Sequence, residues 1–205
     1  QAEVEEEIER FLRDQERGTL GQVVIDRGLK HWHALKTLEA VYRDAYFNQL
    51  NDRYGRKWKE YARLAEERSG LLYETGVGVV LSPVPRAGAP EVEAAPAAAS
   101  GATYFFQVSW VNAAGAEGSP GVPTAFSTAD GFAPRVTVSG LPTGAAGWHL
   151  YAGYSAEETA RQTDAPLAAG GSWTPGAEGL RAGPAPGTGQ PPDMFVRRTQ
   201  RLMRG

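Results

Sequence analysis

The chain has 205 residues, of which 41% are apolar and 22% charged, with a formal net charge of -3 and no cysteine. That size bounds it to one or two globular domains. The missing cysteines exclude a disulfide framework, a thiolate nucleophile and any Cys-based metal site. The mild acidity argues against a surface that coats nucleic acid throughout, though a local basic patch stays possible.

The charges are unevenly spread. Residues 1–75 hold 13 Lys/Arg and 15 Asp/Glu and no proline, which is a helical composition. Residues 76–192 hold all 14 prolines and 19 of the 25 glycines, but only 4 Arg and 8 acids, which is a composition of strands and turns. The remainder sets Asp193 against Arg197, Arg198, Arg201 and Arg204. No basic-then-apolar leader is read at the N-terminus, and a start at Gln1 rather than Met suggests that something upstream was removed. Its apolar runs are too short for a spanning helix, so no membrane partner is expected.

Ile8, Phe11 and Leu12 follow the acidic run Glu3 to Glu9, which predicts a helix with its carboxylates at the positive end of the dipole and Gly18 as its stop. Thr19 can cap a short element, Leu20 to Ile25, before Gly28 breaks the chain again. The strongest periodicity is Trp32, Leu35, Leu38, Tyr42, Ala45 and Gln49, flanked by Val41 and Tyr46, and predicts a helix over about 30–50. A second stripe is Tyr54, Trp58, Tyr61, Ala65 and Leu72, with Asn51 or Asp52 as cap and Gly55 as the weak point. A hairpin is favoured over one bent helix, because two aromatic stripes of similar length can bury each other.

Gly76 to Leu81 can extend as a short strand, while residues 79–100 read as a Pro/Ala-rich linker. From Thr103 the period becomes two, with Tyr104, Phe106, Val108 and Trp110 on one face. Further short strands are expected at 124–128, 135–139, 148–154 and near Trp173, each bounded by Gly or Pro, in the rhythm of a β-sandwich. The fold class is therefore α+β, with a helical bundle at 1–78, the linker at 79–100, a sandwich at 101–190 and an extended basic arm at 191–205.

The stretch Tyr104 to Pro120, the run Val-Thr-Val-Ser-Gly-Leu-Pro at 136–142 and the run Gly-Trp-His-Leu-Tyr-Ala-Gly at 147–153 resemble the fibronectin type III or immunoglobulin-like modules of bacterial surface and phage structural proteins. That resemblance implies a fold and little about activity. Leu29 to Tyr46, followed by the charged Tyr-x-x-x-Trp-x-x-Tyr stripe, is similar to the helical bundle of head-to-tail adaptor proteins of tailed bacteriophages. This second resemblance implies a virion neck protein, assembled in the host cytoplasm as a ring of typically twelve copies. Its partners would be the portal, the tail, stopper or nozzle proteins, further copies of itself, and the genomic DNA passing through the channel.

Gly183 to Pro192 spaces the final segment away from the sandwich. Phe195, Val196, Leu202 and Met203 offer apolar anchors, while Arg197, Arg198, Arg201 and Arg204 offer charge, so the segment reads as an arm that orders on a partner. Its deletion is expected to abolish assembly and leave stability unchanged. Arg53, Arg56, Lys57, Lys59 and Arg63 form the densest basic run. They can face DNA in a channel, or form a salt-bridged solvent face or subunit contact with Glu60, Glu66 and Glu67.

No catalytic, metal or cofactor residue is assigned. His31 and His33 are two apart and fall on different helix faces, His149 is a lone strand residue, and no nucleophile, zinc or phosphate-loop motif occurs. Two other functions compete with the adaptor. One is a surface or secreted module binding carbohydrate or protein through loops 112–120 or 155–172, for which Trp148 and Trp173 are the aromatic candidates unless they are core. The other is the accessory domain of a hydrolase.

Overall fold

The computed structural model describes residues 2–198. Three helices come first and short antiparallel strands in small sheets follow. The chain divides into two compact units, Gln1–Leu81 with Pro191–Gly205, and Ser82–Gln190. The second is thus inserted into the chain of the first.

Helix α1 spans Ala2–Asp14 and buries Val4, Ile8, Phe11 and Leu12, the stripe that its spacing predicts. Its end lies before Gly18. Glu16 takes the left-handed turn (φ 54°) and Arg17 N–H donates back to the Leu12 carbonyl, a Schellman-type closure in which Gly18 (φ 77°) follows. Thr19 opens a single 3-10 turn, Leu20–Gln22, where Gln22 Oε1 accepts from the Thr19 N–H.

Helix α2, Arg27–Gln49, is capped by Asp26, whose Oδ1 accepts from Leu29 N at 2.8 Å. It closes on Leu50 in the left-handed region (φ 49°). Helix α3, Asp52–Thr75, is capped by Asn51, and the two helices form a hairpin. Gly55 is a point of close approach inside α3: a Cβ there would lie 2.9 Å from the Tyr46 ring. Phe11 stacks on Tyr73 (centroids 4.3 Å apart) and Trp32 meets Tyr73 edge-on, so α1 lies across the base of the hairpin.

Strand β1, Val77–Val79, is bracketed on both sides. Val23 bridges to Val79 on one side, and β8, Met194–Val196, pairs antiparallel with β1 on the other, Val77 opposite Val196. The expectation of a detached arm is therefore corrected for residues 194–198. Val196 is 2% exposed in the helical core, Arg197 Nε donates to the Thr75 carbonyl at the end of α3, and the Arg198 guanidinium lies over the Tyr73 ring. The physical reason is that β1 offered an unpaired edge, and the apolar anchors satisfied it within the chain. Gly78 lets Pro192 sit against β1, because a Cβ there would meet it at 2.9 Å. Arg201, Leu202, Met203 and Arg204 lie outside the described residues.

In the second unit β2 (Glu91–Pro96) pairs with β5 (Phe132–Thr137), and a four-stranded antiparallel sheet has the order β4 (Thr124–Ser127), β3 (Thr103–Val111), β6 (Gly147–Gly153), β7 (Ala160–Arg161). Trp173 bridges to Val136 and extends the edge at β5. Tyr104, Phe106, Val108 and Trp110 of β3 enter one core with Val136, Trp148 and Leu150. The linker expected at 79–100 is also corrected. Residue 79 belongs to β1, residues 91–96 form β2, and the segment between packs on the unit's own turns, Ala87 N–H donating to the Ser119 carbonyl. Proline chemistry read as a spacer because it lacks donors. Here the extended segment lies against Gly118 and Gly121, whose missing side chains permit the approach.

Candidate functional site

The helical unit has more surface to cover than its three helices can cover. At about 1.5 Å per residue α1 is about 20 Å long and α2 and α3 are each about 35 Å. Glu3 pairs with Arg43 (3.5 Å) and Glu7 with Lys36 (4.0 Å), so α1 runs antiparallel to α2 and its N-terminus is level with Arg43. Beyond that level the hairpin is two helices without a third.

Its aromatics therefore pack on one another and stay partly exposed. Tyr42 stacks on Tyr61 (5.3 Å), Tyr46 on Trp58 (6.0 Å), and Phe47 leans on Trp58 (5.7 Å). Phe47 is 62% exposed and Leu50, at the turn, 75%. Val41 and Leu38 are also exposed, on the side of α2 away from Phe47. A second apolar surface lies at the other end of α2, a groove of about 380 Å³ lined by Val4, Ile8, Leu20, Val23, Ile25 and Leu29, with Ile25 66% exposed.

The basic run divides. Arg63 is clamped between Glu60 and Glu67, hydrogen bonds that raise its pKa and lower that of Glu60. Lys57 donates to Tyr42 Oη (3.2 Å) and sits over that ring. Arg53, Arg56 and Lys59 are exposed and have no ion pair among the described residues. The arm residues divide likewise. Val196, Arg197 and Arg198 are committed to the helical unit, as described above, and Phe195 presents half its surface to solvent.

A polar cluster that the sequence reading missed lies on the face of β3 and β6 opposite the core. Ser109 and Tyr151 both donate to Glu117 Oε1, from Tyr151 at 2.5 Å, and His149 Nδ1 faces Thr163 Oγ1 at 2.7 Å. Ser109, His149 and Tyr151 are all buried. Burial lowers the His149 pKa, with Glu117 opposing and Arg161 assisting, while burial followed by the Glu117 carboxylate raises that of Tyr151. Ser109 and His149 face each other across the register, yet each hydroxyl and ring nitrogen bonds elsewhere, so the group works as a clasp on the 112–120 turn. The one legible signal was strand alternation, which puts 109, 149 and 151 on a common face.

Among the described residues no group of three or more His, Asp or Glu is placed to hold a metal, and no helix is long and apolar enough to cross a membrane. Trp148 is fully buried, and Trp173 packs edge-on to Phe106 against the core, so the two do not form an exposed aromatic row. Comparison with protein families, curated proteins and solved structures finds no match.

Proposed function

We propose that the chain is a structural subunit that acts by assembly, a ring-forming head-to-tail adaptor of a tailed bacteriophage that joins portal to tail. The observation that carries this reading is the uncovered half of the hairpin. A two-helix tip with exposed Phe47 and Leu50, together with an open apolar groove at the far end of α2, is surface that a solitary molecule has reason to avoid. Two unlike apolar surfaces on one chain suit heterologous contacts, the kind that close a ring.

The second unit is read as an immunoglobulin or fibronectin type III-like sandwich. Its pairing supports this: β2 with β5 on one side and the order β4-β3-β6-β7 on the other correspond to the B–E and C′–C–F–G arrangement of that architecture. The basic run is read as subunit contact, since Arg63 is already salt-bridged to Glu60 and Glu67. Of the arm, Arg201, Leu202, Met203 and Arg204 remain as the portal-docking candidates.

Electron microscopy of the concentrated chain, alone and mixed with a portal ring, tests the proposal. Rings, or a ring of density added to the portal, are the expected result. A chain that neither self-associates nor decorates the portal overturns it.

A further inference from the structure

Two apolar surfaces of the helical unit, each flanked by charges, cannot meet within one molecule. The tip presents Phe47 and Leu50, with Arg56 and Lys59 on its α3 side and Asp44 on its α2 side. The groove is apolar within. One lip is α1, which puts Glu5 on the groove, with the exposed Glu9 one turn on and the exposed Glu6 farther round the helix, and the other is the start of α2 with Lys30 and His33. None of Glu6, Glu9, Lys30, Asp44, Arg56 and Lys59 has an ion pair among the described residues. The tip thus carries cations on α3 and an acid on α2, and the socket carries acids on α1 and a cation on α2.

Leu29 at the groove and Phe47 at the tip are 18 residues apart on one helix, about 27 Å. A copy cannot fill its own groove. The turn residue adds to the argument: Leu50 holds a left-handed conformation that disfavours a branched side chain, and does so in the open.

We propose that the α2–α3 tip of one copy docks in the groove between α1 and the start of α2 of a second copy, Phe47 entering beside Ile25, so that copies join head to tail. The proposal rests on the assembly reading above and specifies the faces used. Such a contact is heterologous, since plug and socket are different surfaces, and it leaves each copy with one of each free for the next.

The absence of cysteine makes a direct test available. Ile25→Cys and Phe47→Cys variants of the full chain are mixed under mild oxidation. The expected result is a cross-linked dimer from the mixture and at least tenfold less from either variant alone. Homodimers of Phe47→Cys in equal yield overturn the proposal, because they place tip against tip.

A charge exchange provides the second measurement, read by analytical ultracentrifugation. Glu6→Lys/Glu9→Lys and Arg56→Glu/Lys59→Glu each weaken self-association at least tenfold, and mixing the two restores it, since tip and socket then alternate in sign. All four positions are exposed, so the melting temperature is expected to stay put and a folding defect is told apart. Rings that form regardless of these substitutions overturn the docking and leave the adaptor reading standing. A chain that stays monomeric throughout overturns the docking, and overturns the adaptor reading as well only when it also fails to decorate the portal. Loss of DNA binding by Arg56→Glu/Lys59→Glu with assembly unchanged assigns those cations to nucleic acid and overturns the proposal.

Discussion

At the scale of single residues, the clasp around Glu117 and the backbone at Gly76 carry consequences that can be measured. Glu117→Ala leaves the buried Ser109 hydroxyl and Tyr151 phenol without their acceptor, and is expected to cost about 2 kcal/mol, read from urea denaturation. His149 adds a pH dependence. Burial holds its folded pKa below the ordinary value of about 6.5, so between the two values the unfolded chain binds more protons. The stability it contributes is complete above about pH 6.5 and falls as the pH drops toward the folded pKa. The melting temperature is expected to decline from pH 7.5 to pH 5, and His149→Gln is expected to flatten that decline; an unchanged slope would show that the imidazole is not the group responsible. Gly76 holds φ 110° and ψ 145° with Phe195 Cβ 2.8 Å from where its own Cβ would be. Gly76→Ala is expected to destabilise the helical unit by about 1–3 kcal/mol, seen as loss of helical signal at lower urea. Strand alternation in the sequence already put Ser109 apart from the core-facing Phe106 and Val108. What it could not give was Glu117, which reaches that face from a turn eight residues on, through a pairing of Val111 with Glu117 that no periodicity announces.

At the scale of elements, the helices were legible because their apolar spacing agrees with the stop before Gly18 and the cap at Asn51, while Gly28, expected to break the chain, lies inside α2 behind the Asp26 cap. Asn51 and Asp26 cap as their side chains permit, and the Trp32 and Tyr54 stripes meet in a hairpin. The tail was misjudged because Met194 to Val196 is too short to carry a pattern and the vacancy it fills is created by β1, more than a hundred residues earlier. The same contact reverses the expected effect of truncation. Removing 194–205 deletes the β1 partner and uncovers the core site of Val196, whose side-chain burial alone is worth about 1.5–3 kcal/mol. A fall in the thermal midpoint of the helical unit is the expected outcome in a calorimeter. A midpoint equal to that of the whole chain would show that the strand contributes nothing. The aromatic hairpin tip was legible as residues and illegible as surface: periodicity says which side chains share a face, and only the length of α1 says where the third layer stops.

At the scale of the molecule, the organisation is a helical unit interrupted by a β unit, with separate apolar clusters around Trp32 and around Trp148. Composition made the two chemistries visible, and the change at Gly76 is where the strands begin. It could not show that the chain returns, since the return is made by three residues. The two crossing points are neighbours: Leu81 N–H donates to Asp193 Oδ2 at 2.7 Å and Asp193 N–H to the Val79 carbonyl. A chain in which residues 82–190 are replaced by a short Gly-containing turn is therefore expected to keep the helical spectrum and the β1–β8 pairing, checked by circular dichroism and amide exchange at Val77 and Val79. Collapse of that chain would mean that the helical unit draws its stability from outside its own core.

The pairing of Val77 with Val196 also sets a timetable. A ribosome that has finished α3 must add some 120 residues before the strand completing that unit leaves the exit tunnel, a wait of about 6–25 s at ordinary elongation rates. During that interval the inserted portion is finished first, and the earlier helices stand with one edge open. Newly made polypeptides are in this way kept from reaching their final form until the returning strand has been made.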